Sequence, residues 1–148
     1  MRAAPRGAAP FLIAGAEPSL AVKSLENDKI TVTGWMDDIR VAYYEGKICL
    51  TPLNIGTGLQ NKILEAMSME IPCITSQLAN NALKAIADKQ ILIGESPHDY
   101  ARQVLWLMNN PKEGKRIGLA GKQHVIDNYH WESIVDKMES IMELNPSV

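Results

Sequence analysis

Residues 52–69 read PLNIGTGLQNKILEAMSM, and this stretch decides the fold. It follows a short apolar run that ends at Pro52, and it passes through a loop with two glycines into an amphipathic segment. The apolar positions of that segment have the spacing of one helix face; they are Leu59, Ile63, Leu64, Ala66 and Met67. The stretch therefore predicts a strand, a glycine-containing loop and a helix over Thr57 to Met69.

Strand-like and helix-like segments alternate on both sides of this stretch. β-branched and apolar runs predict strands at Phe11 to Ala16, Lys29 to Thr33, Lys47 to Pro52, Pro72 to Thr75 and Gln90 to Ile93. Capping signals predict helices at Ser19 to Glu26, Asp37 to Tyr44, Pro97 to Met108, Lys112 to Asn128 and Trp131 to Leu144. The stretch around Asn80 and Asn81 has no regular pattern.

Strands separated by helices are typical of parallel sheets with right-handed crossovers. The predicted fold is α/β, a Rossmann-like open parallel sheet with helices on both faces, followed by C-terminal helices. Ligands of such sheets bind outside the carboxyl ends of the strands. Candidate loops are therefore those at 14–19, 34–38, 52–58 and 76–81.

The composition is that of one ordinary globular domain. The chain has 148 residues, of which 46% are hydrophobic and 22% charged, with a formal net charge of -2. Since this charge does not attract polyanions, nucleic acid is not an expected partner. No apolar run approaches the ~20 residues of a membrane-spanning helix. Cys49 and Cys73 lie in predicted strands without metal-ligand spacing, and we interpret them as buried, reduced thiols.

The first residues admit two interpretations. We expect residues 1–9 to be an unstructured or vector-derived start, and residues 10–148 to form the domain. A signal peptide is the alternative, because a basic start precedes the apolar run Phe11 to Ala16. Pro10 leaves that apolar core short, and the same run is better explained as a strand.

The loop between strand and helix has the features of an anion site. Thr57 can cap the helix, and Gln60, three residues later, completes a capping box. The N–H groups of Gly58, Leu59 and Gln60 would then face outward at the positive end of the helix dipole, which suits a diphosphate. Gly56 and Gly58 allow the backbone a close approach.

Glu65 lies farther along the same helix, about 7.5 Å from Gln60 at the helical rise. A ribose attached to a bound diphosphate would lie near that depth, where a carboxylate accepts bonds from both hydroxyls. Lys62, one turn earlier, can pair with Glu65 or with a phosphate. The alternative is that the junction needs no ligand and that Glu65 is a solvated helix position.

The stretch resembles the signature of the group 1 glycosyltransferases. The matching residues run from Pro52-Leu53 through Thr57 to Met69 and then Ile71 to Thr75. The match is closest to family 4-like members of the exopolysaccharide-synthesis type. Further similarities are Phe11 to Gly15, Ile30 to Asp38, and His130-Trp131-Glu132. The resemblance implies the C-terminal, nucleotide-sugar-binding half of a GT-B fold.

By this resemblance Glu65 holds the donor ribose, and the amides of Gly58 and Leu59 meet the diphosphate or sugar. Gly34 and Trp35 match the loop that borders the base. Thr57 stands where the family has the first glutamate of a pair, and Glu70 replaces a glycine. The family's basic Arg and Lys lie upstream of the matched region, so we name no catalytic residue.

The resemblance implies a hexosyltransferase that moves a sugar from a nucleotide diphosphate sugar to a hydroxyl acceptor. No cofactor and no metal are expected, and the nucleotide sugar is the substrate. We expect an N-terminal acceptor domain or a partner chain to complete the enzyme, and residues 1–148 to be inactive alone. The expected location is cytoplasmic, peripheral to the inner face of the membrane at full length, with a role in surface-glycan synthesis.

Two other functions stay open at this point. One is a non-catalytic nucleotide-sugar-binding or regulatory subunit that needs a partner chain. The other is a fragment of a sugar-nucleotide epimerase, although the loops offer few acid/base residues. His98 and His124 lie on predicted helices away from the loop edge, and we assign them surface or packing roles. Trp106, Trp131 and the methionines of the last helices are interpreted as core, and exposed apolar surface is expected to favour a homodimer.

Overall fold

The computed structural model describes residues 11–55 and 58–144. The chain divides into two compact units, residues 1–46 and residues 47–148. Residues 1–10, 56–57 and 145–148 lie outside the described part of the chain. The prediction of an unstructured start at residues 1–9 therefore falls outside the described residues.

The first unit is a pair of strands, each followed by a short helix. Its elements are β1 (Phe11–Ile13), α1 (Leu20–Lys23), β2 (Ile30–Val32) and α2 (Arg40–Glu45). The strands are parallel, with Phe11 opposite Ile30 and Ile13 opposite Val32. All four elements appear where the sequence predicts them, although each is shorter than expected.

The helix ends of the first unit follow from local hydrogen bonds. The Ser19 hydroxyl caps α1 by accepting the Val22 N–H. The predicted cap Asp38 accepts the Arg40 N–H at 3.0 Å, but the residue at the N-cap of α2 is Ile39. The helix therefore begins three residues later than predicted, at Arg40.

The second unit is built around three parallel strands in the order β3-β4-β5. These strands are β3 (Cys49–Thr51), β4 (Cys73–Thr75) and β5 (Leu92–Ile93). The helices are α3 (Asn61–Ser68), α4 (Gln77–Leu83), α5 (Pro97–Asn109), α6 (Pro111–Tyr129) and α7 (Trp131–Leu144). The described strands thus form two parallel ladders, one in each unit.

The core of the second unit covers both faces of its sheet. Ile74 and Leu92 pack with Leu107 of α5 and Ile117 of α6 on one face. Cys73 precedes Ile74 and so points to the opposite face, since side chains alternate along a strand. Its sulfur lies 4.0 Å from the carbonyl oxygen of Ile63, which places α3 on that side.

A close contact of backbones joins α6 to the end of α3. A Cβ built at Gly118 would lie 2.0 Å from the Glu70 carbonyl oxygen, so only glycine permits this approach. Gly121, one turn later, packs against the Met67 side chain. These glycines fix the long helix α6 beside the helix that carries the candidate site.

Helix α4 is the element that the sequence analysis missed. The Ser76 hydroxyl caps it by accepting the Ala79 N–H at 3.3 Å. The Asn80 side chain is buried with both of its polar atoms bonded. Its Nδ2 donates to the Ala85 carbonyl, and its Oδ1 accepts the Ala85 N–H. A buried asparagine looks like a loop residue in the sequence, and here it closes the helix end instead.

Two aromatic residues expected in the core are at the surface. Trp131 is 73% exposed and Trp106 40%, and Met108, Met138 and Met142 are also exposed. The prediction was wrong because helical spacing shows that a helix has an apolar face, but not that another part of the chain covers it. None of the described helices is both long enough and apolar enough to cross a bilayer.

Candidate functional site

The junction between β3 and α3 is the centre of the candidate site. The strand ends at Thr51 and the helix begins at Asn61, with Gln60 as the N-cap. The predicted start at Thr57 is therefore too early by four residues. Gly58 has a φ of +100°, which helical backbone cannot adopt and which favours glycine. This glycine keeps the chain in a loop for two more residues.

The predicted capping box is replaced by a different arrangement. The Gln60 side chain makes no cap bond to the helix, and its amide donates to the Gly58 carbonyl at 3.4 Å. Gly56 and Thr57 lie outside the described residues. The Ile63 N–H, near the start of α3, donates to the Gln60 carbonyl at 2.9 Å. The first turn of α3 thus begins at Asn61, with Gly58 and Leu59 immediately before it.

Hydroxyl groups of the neighbouring strand hold the base of this loop. The buried Thr75 hydroxyl donates to the Thr51 carbonyl at 2.8 Å. The Ser76 hydroxyl donates to the Leu53 carbonyl at 2.6 Å. The sequence predicts that the loop at 76–81 lies at the ligand edge, but it does not predict that the hydroxyls of Thr75 and Ser76 hold the neighbouring loop. The one feature of the sequence that could have indicated this role is the pair of hydroxyl residues, Thr75 and Ser76, at the end of a predicted strand.

Glu65 lies on the face of α3 that is turned away from the core. The buried positions of the helix are Ile63, Ala66 and Met67, and Glu65 is two residues from the first of these, on the opposite side. Lys62 and Glu65 are both exposed. The exposed face of α3 thus carries one acid and one base within its first two turns.

The structure brings part of the predicted site together. Gly58, Leu59, Lys62 and Glu65 lie in one continuous loop and helix of the second unit. Leu59 is 45% exposed, and Ile55 in the same loop is 90% exposed. The junction therefore presents backbone, apolar and charged groups to solvent.

Gly34 and Trp35 belong to the first unit, where they follow β2. Gly34 has a φ of +68°, and its carbonyl accepts the Thr33 hydroxyl at 3.0 Å. Trp35 is 77% exposed. An exposed indole beside a glycine turn presents a flat apolar surface to solvent.

The histidines lie away from the junction. His124 is buried, and its Nε2 lies 2.9 Å from the Leu83 carbonyl, which ties α6 to the end of α4. His98 is exposed on α5, and His130 pairs with Glu132 at the start of α7. Within residues 11–55 and 58–144, no group of three or more His, Cys, Asp or Glu is placed to hold a metal ion.

Comparison with known families identifies the chain. Residues 1–110 match the model of a family described as glycosyl transferases group 1. The chain belongs to the group 1 glycosyltransferases. A curated relative of this glycosyltransferase chain is the glycosyltransferase 1 domain-containing protein 1 of Xenopus tropicalis. It is 24% identical over 101 residues, which are 68% of this chain and 29% of the frog protein.

Solved structures of glycosyltransferases share the fold. A sucrose-phosphate synthase from Thermosynechococcus elongatus superposes with a TM-score of 0.74 at 19% identity, over 90% of this chain and 37% of that one. A glycosyltransferase from Rickettsia africae gives a TM-score of 0.70 at 17% identity, over 82% and 33% of the two chains.

The third similar structure is a C-terminal domain of a group 1 glycosyl transferase from Francisella tularensis. Its TM-score is 0.62 at 21% identity, over 75% of this chain and 60% of that domain. The α/β architecture of this glycosyltransferase is thus that of the C-terminal part of the GT-B fold. The chain spans about a third of the first two solved structures and of the frog relative.

Proposed function

We propose that this chain is the donor-binding domain of a hexosyltransferase that uses a nucleotide diphosphate sugar and a hydroxyl acceptor. The observation that carries the proposal is the junction at Gly58, where a glycine loop enters α3 and an exposed acid lies on the outer face of that helix. The family membership supports glycosyl transfer as the reaction class. The donor class, the sugar and the acceptor are our proposal.

The diphosphate is assigned to the start of α3. Backbone N–H groups converge at a helix N-terminus, and the helix dipole favours negative charge there. Gly58 lets the backbone approach the phosphates without a side chain in the way. The Thr75 and Ser76 hydroxyls hold the chain at Thr51 and Leu53, where the loop begins.

The ribose is assigned to Glu65. From Asn61 to Glu65 the helix rises about 6 Å, which is close to the distance between a diphosphate and the far edge of its ribose. A carboxylate at that depth accepts hydrogen bonds from both ribose hydroxyls, and charged acceptors form the stronger hydrogen bonds. Lys62 adds positive charge on the same exposed face.

The same junction supplies part of the transition-state stabilisation. When the sugar leaves, negative charge develops on the diphosphate, and preorganised amides stabilise it at no cost in reorganisation. Glu65 and Lys62 are assigned to the donor, which leaves no acid or base for the acceptor hydroxyl among the described residues of the junction. We therefore propose that residues 1–148 alone bind the donor without transferring the sugar. The upstream acceptor domain or a partner chain would complete the enzyme.

The finer assignments rest on the resemblance of residues 52–75 to family 4-like enzymes of the exopolysaccharide type. On that basis we propose transfer without a metal or other cofactor, and a role in surface-glycan synthesis on the cytoplasmic side of a membrane. Thr57 in place of the usual first glutamate suggests that contacts to the sugar come from backbone groups or from Lys62.

The test is calorimetric titration of the chain with UDP-glucose, GDP-mannose and ADP-glucose. We expect one of the three to bind, and Glu65→Gln to weaken that binding by about 10-fold or more, because a charge-assisted hydrogen bond is lost. Glu139→Gln, an exposed glutamate on α7, is the matched control and should leave the affinity unchanged. Equal affinity of Glu65→Gln and wild type would overturn the ribose assignment.

A further inference from the structure

Cys49 and Cys73 lie side by side in the sheet of the second unit. They are register partners on the parallel strands β3 and β4. Neighbouring strands are about 4.8 Å apart, which is within the ~4.4–6.8 Å that separates the Cα atoms of a disulfide. Register partners on adjacent strands point to the same face, so the two thiols project together.

The two cysteines are register partners but differ in exposure. Cys73 is 1% exposed, and its sulfur also lies 3.3 Å from the Ile71 carbonyl. Cys49 is only partly buried, and its sulfur lies 3.7 Å from the Thr51 hydroxyl. Cys49 is therefore the less buried of the two residues.

Their surroundings also make the two thiols chemically unequal. A hydrogen bond with Cys73 lowers the pKa of Cys49 to about 7 against the opposing effect of burial, and Thr51 and the charge of Lys62 contribute. The same hydrogen bond, together with burial, raises the pKa of Cys73. Cys49 therefore ionises more readily than Cys73, and the thiolate is the nucleophile.

We propose that Cys49 and Cys73 form a redox-active dithiol that small-molecule disulfides oxidise to a cross-strand disulfide, with Cys49 as the attacking and Cys73 as the resolving residue. The site lies at the base of the junction, since β3 leads into the loop before α3. Neither cysteine is assigned to the donor, and the dithiol does not depend on the proposed function.

The reaction balances with oxidised glutathione as the oxidant. The Cys49 thiolate attacks one sulfur of that disulfide, forms a mixed disulfide and releases one glutathione thiolate, which takes up a proton. Cys73 then loses its proton and attacks the Cys49 sulfur, displacing the second glutathione. The two protein thiols lose two electrons and two protons, and one molecule of oxidised glutathione becomes two of glutathione.

The experiment treats the folded chain with excess oxidised glutathione, quenches it with acid and measures the intact mass. The sequence contains two cysteines, so each product is unambiguous. We expect wild type to lose two hydrogens, and a non-reducing digest to yield the linked Cys49 and Cys73 peptides. Accumulation of the mixed disulfide alone, or persistence of both free thiols, would overturn the proposal.

Single variants separate the two roles. Cys73→Ser should stop at the mixed disulfide on Cys49, whereas Cys49→Ser should stay unmodified over the same time. Reaction of Cys49→Ser at the wild-type rate would contradict the assignment of the attacking thiol. Cys73→Ala is included because a hydroxyl at this buried position destabilises the fold, and circular dichroism checks each variant.

Binding of phenylarsine oxide gives a second readout that needs no oxidant. A trivalent arsenical bridges two adjacent thiols, so wild type should bind it at least ~10-fold more tightly than either single variant, a difference of ~1.4 kcal/mol. Equal binding to wild type and Cys73→Ala would show that the thiols do not act as a pair.

Discussion

Glu70 occupies a helix end where the backbone turns left-handed. Its φ is +62°, and the bonds from Ile71 N–H to the Ala66 carbonyl and from Glu70 N–H to the Met67 carbonyl form a Schellman motif. Glycine is the usual residue at this position because it carries no Cβ. The Glu70 carboxylate pairs with Lys122 at 2.7 Å, and this ion pair lowers the pKa of Glu70. The ion pair thus offsets part of the cost of the backbone conformation.

Replacement of Glu70 by glycine should therefore stabilise the chain in a variant that already lacks the ion pair with Lys122. In a Lys122→Ala background we expect Glu70→Gly to raise the free energy of unfolding by about 1 kcal/mol, because a left-handed conformation costs a non-glycine residue ~1–2 kcal/mol. In the wild-type background the gain should be smaller, since an exposed ion pair contributes ~0–1 kcal/mol. Urea unfolding measures both, and a loss of stability in the Lys122→Ala background would contradict this account.

For single residues, the sequence predicted the position on a helix or strand better than the burial of the side chain. The candidate acid Glu65 lies on the outer face of its helix, as a ligand-binding residue must, but its role stays a prediction. Trp131 was assigned to the core and is exposed. Burial depends on what packs against a side chain across the fold, and no local pattern contains that information.

At the scale of elements, helix ends depend on individual side chains. At α5 the Ser96 hydroxyl accepts the Asp99 N–H at 3.2 Å, and the Asp99 carboxylate accepts the Ser96 N–H at 3.1 Å. This capping box begins the helix after Ser96, the cap that the sequence predicted. The contrast is α3, where the positive φ of Gly58 delays the helix, because a glycine in a sequence does not reveal its own dihedral angles.

The capping box makes the stability of the chain depend on pH. The Ser96 hydroxyl lowers the pKa of Asp99 most strongly against the opposing effect of burial, and Arg102 also lowers it. The ionised Asp99 therefore stabilises the fold above its unfolded pKa of ~3.9, and this contribution disappears as the pH falls through the lower, folded pKa.

Thermal unfolding of wild type and Asp99→Asn should show this dependence. We expect wild type to be the more stable above about pH 5, where an unperturbed aspartate is ionised, and the difference to shrink on acidification. Ser96→Ala should cost about 1 kcal/mol at neutral pH through loss of the cap. A difference between wild type and Asp99→Asn that grows as the pH falls would contradict the assigned sign.

The sequence predicted that the strands are parallel, but not which strands pair with each other. Alternation of strands and helices predicted parallel strands, and the parallel ladders confirm this. The division into one two-stranded and one three-stranded ladder was not predictable, because pairing joins residues that are distant in sequence. Helix α4 was missed for a related reason. Asn80 is buried because its side chain bonds to Ala85, and the spacing of apolar residues does not reveal such bonds.

At the scale of the whole molecule the two units differ in their packing. Among residues 11–46 Ala42 is the one buried hydrophobic residue, whereas β4 in the second unit is fully buried. We expect slower hydrogen exchange in the second unit, because core strands open only on global unfolding. A matched pair is the Thr33 amide, bonded to Ile13, and the Gly94 amide, bonded to Thr75.

Native-state hydrogen exchange should find the Gly94 amide at least ~10-fold more protected than the Thr33 amide, a difference of ~1.4 kcal/mol in opening free energy. Both amides donate to a parallel neighbour, so the comparison isolates the effect of the surrounding core. Equal protection would show that the first unit is as stable as the second.

Exposed apolar side chains on α7 predict self-association. Trp131, Met138, Ile141 and Met142 are all more than half exposed. Apolar surface of this kind favours association in water. We expect sedimentation velocity to show dimers or larger species at high concentration, and Ile141→Glu with Met142→Glu to shift the chain toward monomer. A monomer at all concentrations would contradict this expectation.

The most direct test of the central claim is amide shift mapping by NMR during titration with UDP-glucose, GDP-mannose and ADP-glucose. We expect the bound nucleotide sugar to shift the amides of Gly58, Leu59 and Asn61 most strongly, followed by Glu65. Glu65→Gln should keep the shifts at the helix start but weaken the affinity. Saturable shifts confined to α5 and α6, or no shift with any of the three donors, would contradict it.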